Sequence, residues 1–359
     1  RMLRTRVQLG AAIAAVILSI AVPVGVSLAI YGREGNVCGE DAEKLAVTIV
    51  QPNIDPYRKF EALSQEQQDS IALRMLEDGQ WDRDGEAIGS RDSSLLLLLP
   101  ETFTNNINLI YPDLDGTVIN FSRLLKKFPC TTLMMGATTY DFFPQEKSPS
   151  YTARPFGHNM WYEVHNSAVT VTFRGFSQHY HKNKLVVGVE LMPYPKFFSK
   201  IDNMLGGVMG RCIGQKDVEP LHVGPTLVGC AICYESVYGD FCRQYVLGGA
   251  EAMTIITNDA WWKDTPGYRQ HLSYARLRAI ELRRDIARCA NTGTSAIINR
   301  RGDVLSSTPW WESALINGHV NLYRDQTFFV RHGDITGRIA TLVTCLLAAL
   351  VLVKLLMGI

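Results

Sequence analysis

The sequence has no excess of charge of either sign, since 36 Lys and Arg residues balance 35 Asp and Glu residues and leave a net charge of +1. It also has no basic run, acidic tail, internal repeat or low-complexity tract. Nucleic-acid-binding proteins carry a positive surface that neutralises phosphates, so this composition predicts no nucleic-acid partner. No internal stretch has the composition of a linker, and one large domain therefore fits the 359 residues better than two.

A second pair of zinc-binding cysteines is also missing. The chain has eight cysteines; Cys230 and Cys233 form one Cys-x-x-Cys unit, and no second unit follows it. His179 and His181 lie in a strand-like run without a third ligand nearby. The sequence therefore predicts no metal site and no cofactor. Disulfide pairing among the cysteines is not deducible from their spacing.

Charged residues are absent from one apolar run near the start of the chain and almost absent from another at its end. The first run, Ala11 to Ile30, follows three arginines and is long enough to span a bilayer with its N-terminal side in the cytoplasm. A signal peptide is the alternative, but the run is long for an h-region and no clear cleavage site follows it. The second run, Ile339 to Ile359, is interrupted only by Lys354, which can reach the interface.

Two spans place the residues between them on one side of the membrane, outside the cytoplasm. We therefore expect a cytoplasmic segment at 1–10, transmembrane helices at 11–30 and 338–359, and an extracytoplasmic domain at 31–337. The chain starts with Arg1 rather than methionine, and we expect it to be the C-terminal part of a longer protein.

The body between the apolar runs combines buried strands with helices. Some strands alternate with helices and others follow one another directly, which predicts an α/β domain with mixed sheets covered by helices. The predicted strands are 45–50, 94–99, 132–138, 166–173 and 252–257, the predicted helices are 64–75, 118–127 and 270–284, and a hairpin is predicted from 294–298 and 304–306.

Reactive side chains stand at three strand ends. Cys233 closes a run of small and apolar residues before a predicted turn and helix start, where a helix dipole would favour the thiolate. Taken alone, such a cysteine is more often a small core residue. Glu101 and Lys182 also follow strands, and in open α/β sheets functional groups collect beyond strand ends. A carboxylate can take a thiol proton and an ammonium can stabilise an oxyanion, but spacing alone does not show that the three meet.

Three ordered motifs resemble the Glu-Lys-Cys signature of the nitrilase superfamily, and within it the membrane-bound apolipoprotein N-acyltransferases most of all. They are Pro100-Glu101, Lys182-Asn183-Lys184-Leu185-Val186 and Cys233-Tyr234-Glu235. Further matching segments lie along the body, namely Gln51-Pro52-Asn53, Thr257 to Trp262, Asn291-Thr292-Gly293 and Thr327 to Asp334. The resemblance implies a nitrilase-like four-layer αββα sandwich flanked by transmembrane helices, with 31–337 as the catalytic domain.

The resemblance also implies a multi-pass protein of the bacterial cytoplasmic membrane with its catalytic domain on the periplasmic side. The full protein would have eight spans, of which six precede this chain. The implied reaction moves an acyl chain from a phospholipid, typically phosphatidylethanolamine, to a cysteine thioester. The acyl chain then passes to the N-terminal amine of a diacylated apolipoprotein.

Residue roles follow from the same resemblance. Cys233 would be the nucleophile, Glu101 the general base and later acid, and Lys182 the oxyanion stabiliser. Glu190 and Glu235 would orient Lys182 or tune the proton balance.

Lys184 is a rival for the catalytic lysine, because its strand parity matches that of Lys182. The family's Lys-x-His-Leu frame favours Lys182. The chain also departs from the family at 187–190, where Val-Gly-Val-Glu replaces the common Pro-Phe-Gly-Glu.

Aromatic residues offer candidate contacts for lipid. The stretch Pro193 to Gly214 carries Phe197 and Phe198 among glycines and is a candidate lid, and Trp261 and Trp262 fit the headgroup level. Packing against the domain's own core is the alternative for each.

Two other functions remain open at this stage. A membrane-tethered nitrilase-type amidase would use the same residues with water as the acceptor and hydrolyse a C–N bond. A catalytically inactive envelope binding protein would keep the fold without the reaction.

Overall fold

The computed structural model describes residues 2–37, 43–59, 63–78, 94–204 and 210–358. The chain divides into two compact units, Arg1–Ala42 and Glu43–Ile359. The described part of the first unit is one helix, α1 (Met2–Val37), which contains Pro23 and exposes its apolar side chains. Its segment Gln8–Arg33 is long and apolar enough to cross a membrane.

The second unit contains strands and helices in alternating and in direct succession. In chain order they are β1 (Lys44–Gln51), α2 (Pro56–Lys59), α3 (Gln65–Asp78), β2 (Leu95–Leu98), β3 (Thr104–Asn108), α4 (Gly116–Leu125), β4 (Thr131–Pro144), β5 (Arg154–Pro155), β6 (Met160–Thr172), β7 (Gly175–His181), α5 (Pro195–Met204), β8 (Leu221–Val223), β9 (Thr226–Ile232), α6 (Gly239–Leu247), β10 (Ala252–Thr257), α7 (Gly267–Leu282), β11 (Ile286–Ala290), β12 (Ala296–Ile298), β13 (Val304–Ser307), β14 (Ala314–Asn321), α8 (Phe328–His332) and α9 (Ile335–Met357). Single 3₁₀ turns occur at Pro112–Leu114, Cys233–Val237 and Asp259–Trp262.

Two mixed sheets organise these strands. One has eight strands in the order β14-β1-β2-β4-β6-β5, with β3 paired to β4 and β7 paired to β6. The other has six in the order β13-β12-β11-β10-β9-β8. The central strands of each sheet are parallel, and antiparallel strands complete the edges. The mixed-sheet prediction is confirmed.

Burial on both faces of β2 shows how the layers stack. Leu96 and Leu98 belong to the core that also contains the strands of the second sheet and helices α6 and α7. Leu95 and Leu97 face the other way and pack with residues of α3 and α4. The layers therefore run helices, sheet, sheet, helices, as the four-layer αββα prediction requires.

Some element bounds differ from those predicted. Strand β4 continues past the predicted 132–138 to Pro144, and β6 begins at Met160, before the predicted 166–173. These added segments pair with each other as a half-buried ribbon, which lacks the apolar pattern of a buried strand. After β9 the chain forms a single 3₁₀ turn before α6 begins. The last helix starts at Ile335, three residues before the predicted span, with Asp334 as its N-cap.

Candidate active site

The three reactive side chains predicted from the sequence come together at one edge of the sandwich. Glu101 follows β2, Lys182 follows β7 and Cys233 follows β9. Lys182 Nζ lies 3.1 Å from Glu101 Oε1. The charges of both groups act on the Cys233 thiol. The fold therefore brings the three side chains together, which their spacing in the sequence did not show.

The turn that carries Glu101 is packed directly against β4. Gly136 of β4 donates its N–H to the Pro100 carbonyl at 3.0 Å and accepts from Phe103 N at 2.7 Å. A Cβ at Gly136 would lie 2.4 Å from Glu101 Cα, so only glycine fits here. Thr102, next to Glu101, has a φ of 48°, in the left-handed region. The carboxylate is therefore positioned by a strained, tightly packed turn.

Lys182 is buried between two carboxylates. Its Nζ donates to Glu101 Oε1 at 3.1 Å and to Glu190 Oε1 at 2.9 Å. Burial acts to lower the pKa of Lys182, but the charges of Glu101 and Glu190 oppose it, and the pKa lies above its usual range. These interactions favour the ammonium form of the side chain.

Cys233 occupies a strained position at the start of its 3₁₀ turn, with a φ of 53°. Its thiol is free, and the residue as a whole is half-buried. Burial raises the pKa of the Cys233 thiol to about 12, with the Glu101 charge adding to the effect and the Lys182 charge opposing it. The sequence prediction of a dipole-favoured thiolate is wrong, because a single 3₁₀ turn aligns few peptides, and desolvation and a nearby carboxylate outweigh its field.

A buried charged cluster holds the backbone of this turn. His271 Nε2 lies 3.1 Å from the Cys233 carbonyl oxygen, and its Nδ1 lies 2.9 Å from Asp259 Oδ1. Arg288 Nη2 donates to Asp259 Oδ2 at 2.8 Å. Against burial, the charges of Arg288 and His271 hold the pKa of Asp259 at about 2. Three elements, α7, β11 and the turn after β10, are thereby tied to the Cys233 turn.

Glu235 joins two strand ends rather than contacting the Lys182 ammonium. Its Oε1 accepts from the backbone N–H groups of Asn183 at 2.6 Å and Lys184 at 3.1 Å, and from Tyr180 Oη at 2.9 Å. Its Oε2 accepts from Ile232 N at 2.8 Å. Burial raises the pKa of Glu235 to about 7 against these hydrogen bonds. Glu235 thus positions the segments that carry Lys182 and Cys233.

The two lysines of the Lys182 motif have different environments. Lys182 is 1% exposed and paired as described above. Lys184 is exposed, and its Nζ lies 5.6 Å from the centroid of the Phe241 ring. The structure therefore distinguishes Lys182 from Lys184, which strand parity did not.

Sequence reasoning missed two buried residues of the site. Asn166 Nδ2 donates to Glu101 Oε1 at 2.9 Å and to Glu190 Oε1 at 2.6 Å. Lys59 donates to the Thr102 carbonyl, and burial lowers the pKa of Lys59 to about 8, with the Glu101 charge opposing. Neither stands at a strand end with a recognisable motif, so no pattern in the sequence identified them.

The sequence of the body decides the family. A model of the carbon-nitrogen hydrolase family matches residues 47–326. The chain belongs to this family. The match extends over the two sheets and the Glu101, Lys182 and Cys233 segments.

Curated relatives of this chain include proteins named apolipoprotein N-acyltransferase. The one from Chlorobaculum tepidum is 27% identical over 87% of this chain and 57% of the relative. The one from Geobacter metallireducens is 27% identical over 85% of this chain and 53% of the relative. The chain spans about half the length of these curated relatives. The resemblance inferred from the motifs is confirmed.

Solved structures of the carbon-nitrogen hydrolase fold agree with the architecture. A superfamily protein from Xanthomonas campestris has a TM-score of 0.51 at 16% identity, covering 78% of this chain and 91% of that chain. Nit3 from Saccharomyces cerevisiae, described as a member of branch 10 of the nitrilase superfamily, has a TM-score of 0.50 at 16% identity, covering 78% and 90%. The predicted nitrilase-like fold is confirmed.

Exposed aromatic residues occur where lipid contacts were predicted. Phe197 is 64% exposed on α5, and its ring lies 5.1 Å from that of the half-buried Phe198. Trp261 and Trp262 are also exposed, at 56% and 40%. Met204, at the end of α5, is 86% exposed. Leu205 and Met209, two further apolar residues of the predicted lid, lie outside the described residues.

A carboxylate and two histidines from different strands form a group near the site that the sequence did not reveal. Ligand atoms of Asp141, His165 and His181 all lie within 4.8 Å of one another. His181 and His165 stack with ring centroids 4.0 Å apart. Burial, together with the charges of His165 and His179, lowers the pKa of His181 to about 3. No third ligand lies near His181 along the chain, but Asp141 and His165 lie near it across the strands.

Proposed function

We propose that this protein is an N-acyltransferase that moves an acyl chain from a phospholipid, through a Cys233 thioester, to the N-terminal amine of a diacylglyceryl-cysteine lipoprotein. The observation that carries the proposal is the buried Lys182 ammonium, paired with Glu101 and Glu190 beside a free thiol. The names of the curated relatives and two helices long and apolar enough to span a bilayer support the lipid substrates.

The first step forms the thioester. Because the Cys233 thiol has its pKa raised to about 12, it attacks as its proton passes to the Glu101 carboxylate. The sulfur bonds to the ester carbonyl carbon, and the carbonyl oxygen becomes an oxyanion that the Lys182 ammonium stabilises. Glu101 then returns the proton to the departing oxygen, which releases a lysophospholipid.

The second step transfers the acyl chain. The free amine of the lipoprotein attacks the thioester carbonyl carbon and loses a proton to Glu101 as the C–N bond forms. The oxyanion again lies against Lys182 and collapses as the C–S bond breaks. Glu101 reprotonates the sulfur, so Cys233 is again a neutral thiol and the two-step, ping-pong cycle closes.

Water must be kept from the thioester, or the enzyme becomes a lipase. The exposed apolar side chains of α5 and the tryptophan pair support a site that opens toward the bilayer, where both substrates reside. We propose phosphatidylethanolamine as donor and a diacylated apolipoprotein as acceptor. The proposed setting is a multi-pass protein of the bacterial cytoplasmic membrane, with residues 31–337 as a periplasmic domain.

Mass spectrometry of the purified full chain tests the proposal. Incubation with phosphatidylethanolamine should add one acyl mass to the peptide that contains Cys233. Addition of a diacylated lipopeptide should remove that mass and yield a triacylated product. Cys233→Ala should show neither change, and Cys230→Ala, a buried thiol of the same strand, serves as the matched control that keeps both.

Three results would contradict the proposal. Acyl label that persists in Cys233→Ala would remove the cysteine from the reaction. Release of free fatty acid without a triacylated product would identify a hydrolase. Release of ammonia from a small amide, with no acyl mass from phospholipid, would identify an amidase.

A further inference from the structure

Lys59 is a buried lysine beside the candidate active site that the proposed mechanism does not use. It ends α2 and is 3% exposed. Its Nζ donates to the carbonyl oxygen of Thr102, the residue that follows Glu101. A buried ammonium costs free energy unless hydrogen bonds and an opposite charge compensate it. Burial lowers the pKa of Lys59 to about 8, and the Glu101 charge opposes this effect. The lysine therefore contacts the backbone of the Glu101 turn and interacts with the carboxylate that the turn carries.

Side chains of α2 and α3 hold the part of the turn that follows Glu101. Lys59 binds the Thr102 carbonyl, and Gln65 Nε2 of α3 donates to the Phe103 carbonyl oxygen at 3.2 Å. Thr102 has a φ of 48°, a strained conformation that persists only where the surroundings hold it. Strand β4 contacts the same turn through backbone hydrogen bonds. The turn is therefore held by two helices as well as by the neighbouring strand.

The backbone from which the Lys59 side chain extends is itself fixed. Lys59 N donates to the Asp55 carbonyl oxygen at 2.8 Å, and Gln68 Nε2 donates to the Lys59 carbonyl oxygen at 3.0 Å. Gln68 is 1% exposed. Lys59 therefore reaches the turn from an ordered, buried position between the two helices.

Lys59 and Lys182 both act on Glu101, and they do so from different elements. Lys182 follows β7 and lies 3.1 Å from Glu101 Oε1, whereas Lys59 lies at the end of α2. Glu190 accepts a hydrogen bond from Lys182, and Cys233 contributes a thiol. A nearby cation favours the ionised form of a carboxylate. In the proposed first step only this form of Glu101 can accept the thiol proton, so the charge of Lys59 favours the reactive state.

We propose that Lys59 is a positioning residue of the acyl transfer reaction, which fixes the Glu101 turn through the Thr102 carbonyl and favours the ionised carboxylate. The proposal rests on the proposed function for the role of Glu101 as base, but not for the identity of the acyl donor or acceptor. The soluble ester p-nitrophenyl butyrate can acylate Cys233 without a bilayer or a lipoprotein. Acylation by this ester therefore tests Lys59 separately from the lipid substrates.

Mass spectrometry of the Cys233 peptide measures the rate of this acylation in the full chain, in detergent, across a pH series. Lys59→Met replaces the ammonium with an apolar side chain of similar length. The rate should fall about 10- to 100-fold, because a small displacement of a reacting group has an effect of this size. The Tm should stay the same or rise, because an apolar side chain avoids the desolvation of a buried charge.

The pH profile separates a role at Glu101 from a role in stability. In Lys59→Met the acid side of the profile should move to higher pH, because one cation that favours the ionised Glu101 is gone. The other groups that face Glu101 remain in the variant and are Lys182, Asn166 and Cys233, with Glu190 bound to the first two. A shift of the profile therefore reports Lys59 itself.

Two further variants provide matched controls. Lys126→Met removes an exposed lysine at the end of α4 and should keep the wild-type rate and profile. Gln65→Leu removes the neighbouring donor to the turn without a change of charge. It should lower the rate and leave the acid side of the profile at the wild-type pH.

Acylation of Lys59→Met within about threefold of the wild-type rate would overturn the proposal. A lower rate with a lower Tm and an unmoved acid side would also overturn it, because Lys59 would then act in stability alone. If Lys59→Met does not fold, Lys59→Gln, which is neutral but polar, provides the decisive profile. A wild-type chain that is acylated by the soluble ester but not by phospholipid would contradict the proposed function and leave the role of Lys59 intact.

Discussion

Glu101 lies between the buried Lys182 ammonium and the Cys233 thiol. The Lys182 ammonium and the Asn166 amide both donate to Glu101 Oε1. The negative charge of Glu101 in turn raises the pKa of Cys233. The proton therefore stays on sulfur in the ground state.

Replacement of Glu101 by glutamine should separate thiol acidity from catalysis. Loss of the carboxylate charge removes one cause of the raised pKa of Cys233, so its alkylation by iodoacetamide should shift to lower pH. Acyl transfer should fall about 10²- to 10⁴-fold because the proton acceptor is lost. Mass spectrometry of the Cys233 peptide across a pH series measures the first effect, and thioester formation measures the second. An alkylation profile that is unchanged or shifted to higher pH would contradict the electrostatic account.

The two lysines provide a matched pair. Lys182→Ala removes the buried ammonium and should lower thioester formation about 10²- to 10³-fold. Lys184→Ala removes an exposed side chain next to Phe241 and should change it less than about threefold. Initial rates with phosphatidylethanolamine provide the comparison. The reverse order of effects would assign the oxyanion role to Lys184.

At the scale of elements, the turn after β2 depends on its neighbour β4. Gly136 both pairs with this turn and leaves room for the Glu101 backbone. Glu235 likewise links the ends of β7 and β9, because its carboxylate accepts hydrogen bonds from the backbone of both. The candidate active site is therefore assembled from strand ends that are hydrogen-bonded to their neighbours.

Gly136→Ala tests this dependence. The added methyl group would overlap the Glu101 backbone, which should cost about 1–3 kcal/mol of stability and displace the carboxylate. We expect a lower Tm and a loss of thioester formation larger than the stability change alone explains. Gly116→Ala, at a position with open space around it, is the control. Full activity in a destabilised Gly136→Ala would show that the turn tolerates movement.

Helix α5 presents apolar side chains to its surroundings. Phe197→Ser should raise the apparent KM for phospholipid in vesicles while leaving the Tm within a few degrees, because Phe197 is largely exposed. Leu305→Ser changes an equally exposed apolar residue on β13 and should not affect KM. Rates measured against vesicle concentration distinguish the two variants, and equal effects would remove α5 from lipid contact.

For the whole molecule, the proposed topology places the body outside the cytoplasm. Cys130→Ser with Glu146→Cys puts a reporter thiol on an exposed loop after β4. A membrane-impermeant maleimide should label this reporter in intact spheroplasts as fully as in lysed ones. Labelling only after lysis would place residues 31–337 in the cytoplasm and contradict the two-span arrangement.

Much of the fold could be predicted because its strands are buried on both faces and read as continuous apolar runs, as at 94–99. The site was predictable only where its residues stand in family motifs at strand ends. Asn166, Lys59 and Asp141 escaped notice because their neighbours are brought to them by tertiary packing from elsewhere in the chain. The acidity of Cys233 was predicted wrongly because desolvation depends on the packed surroundings and not on local sequence.

The strained, buried turn at Cys233 also has a redox consequence. Disulfide exchange and oxidation proceed through the thiolate. Burial holds the pKa of Cys233 well above its usual range, so very little of the thiol is ionised at neutral pH. In the proposed mechanism this proton passes to Glu101 during attack, and until then it protects the sulfur from oxidation in an oxidising compartment.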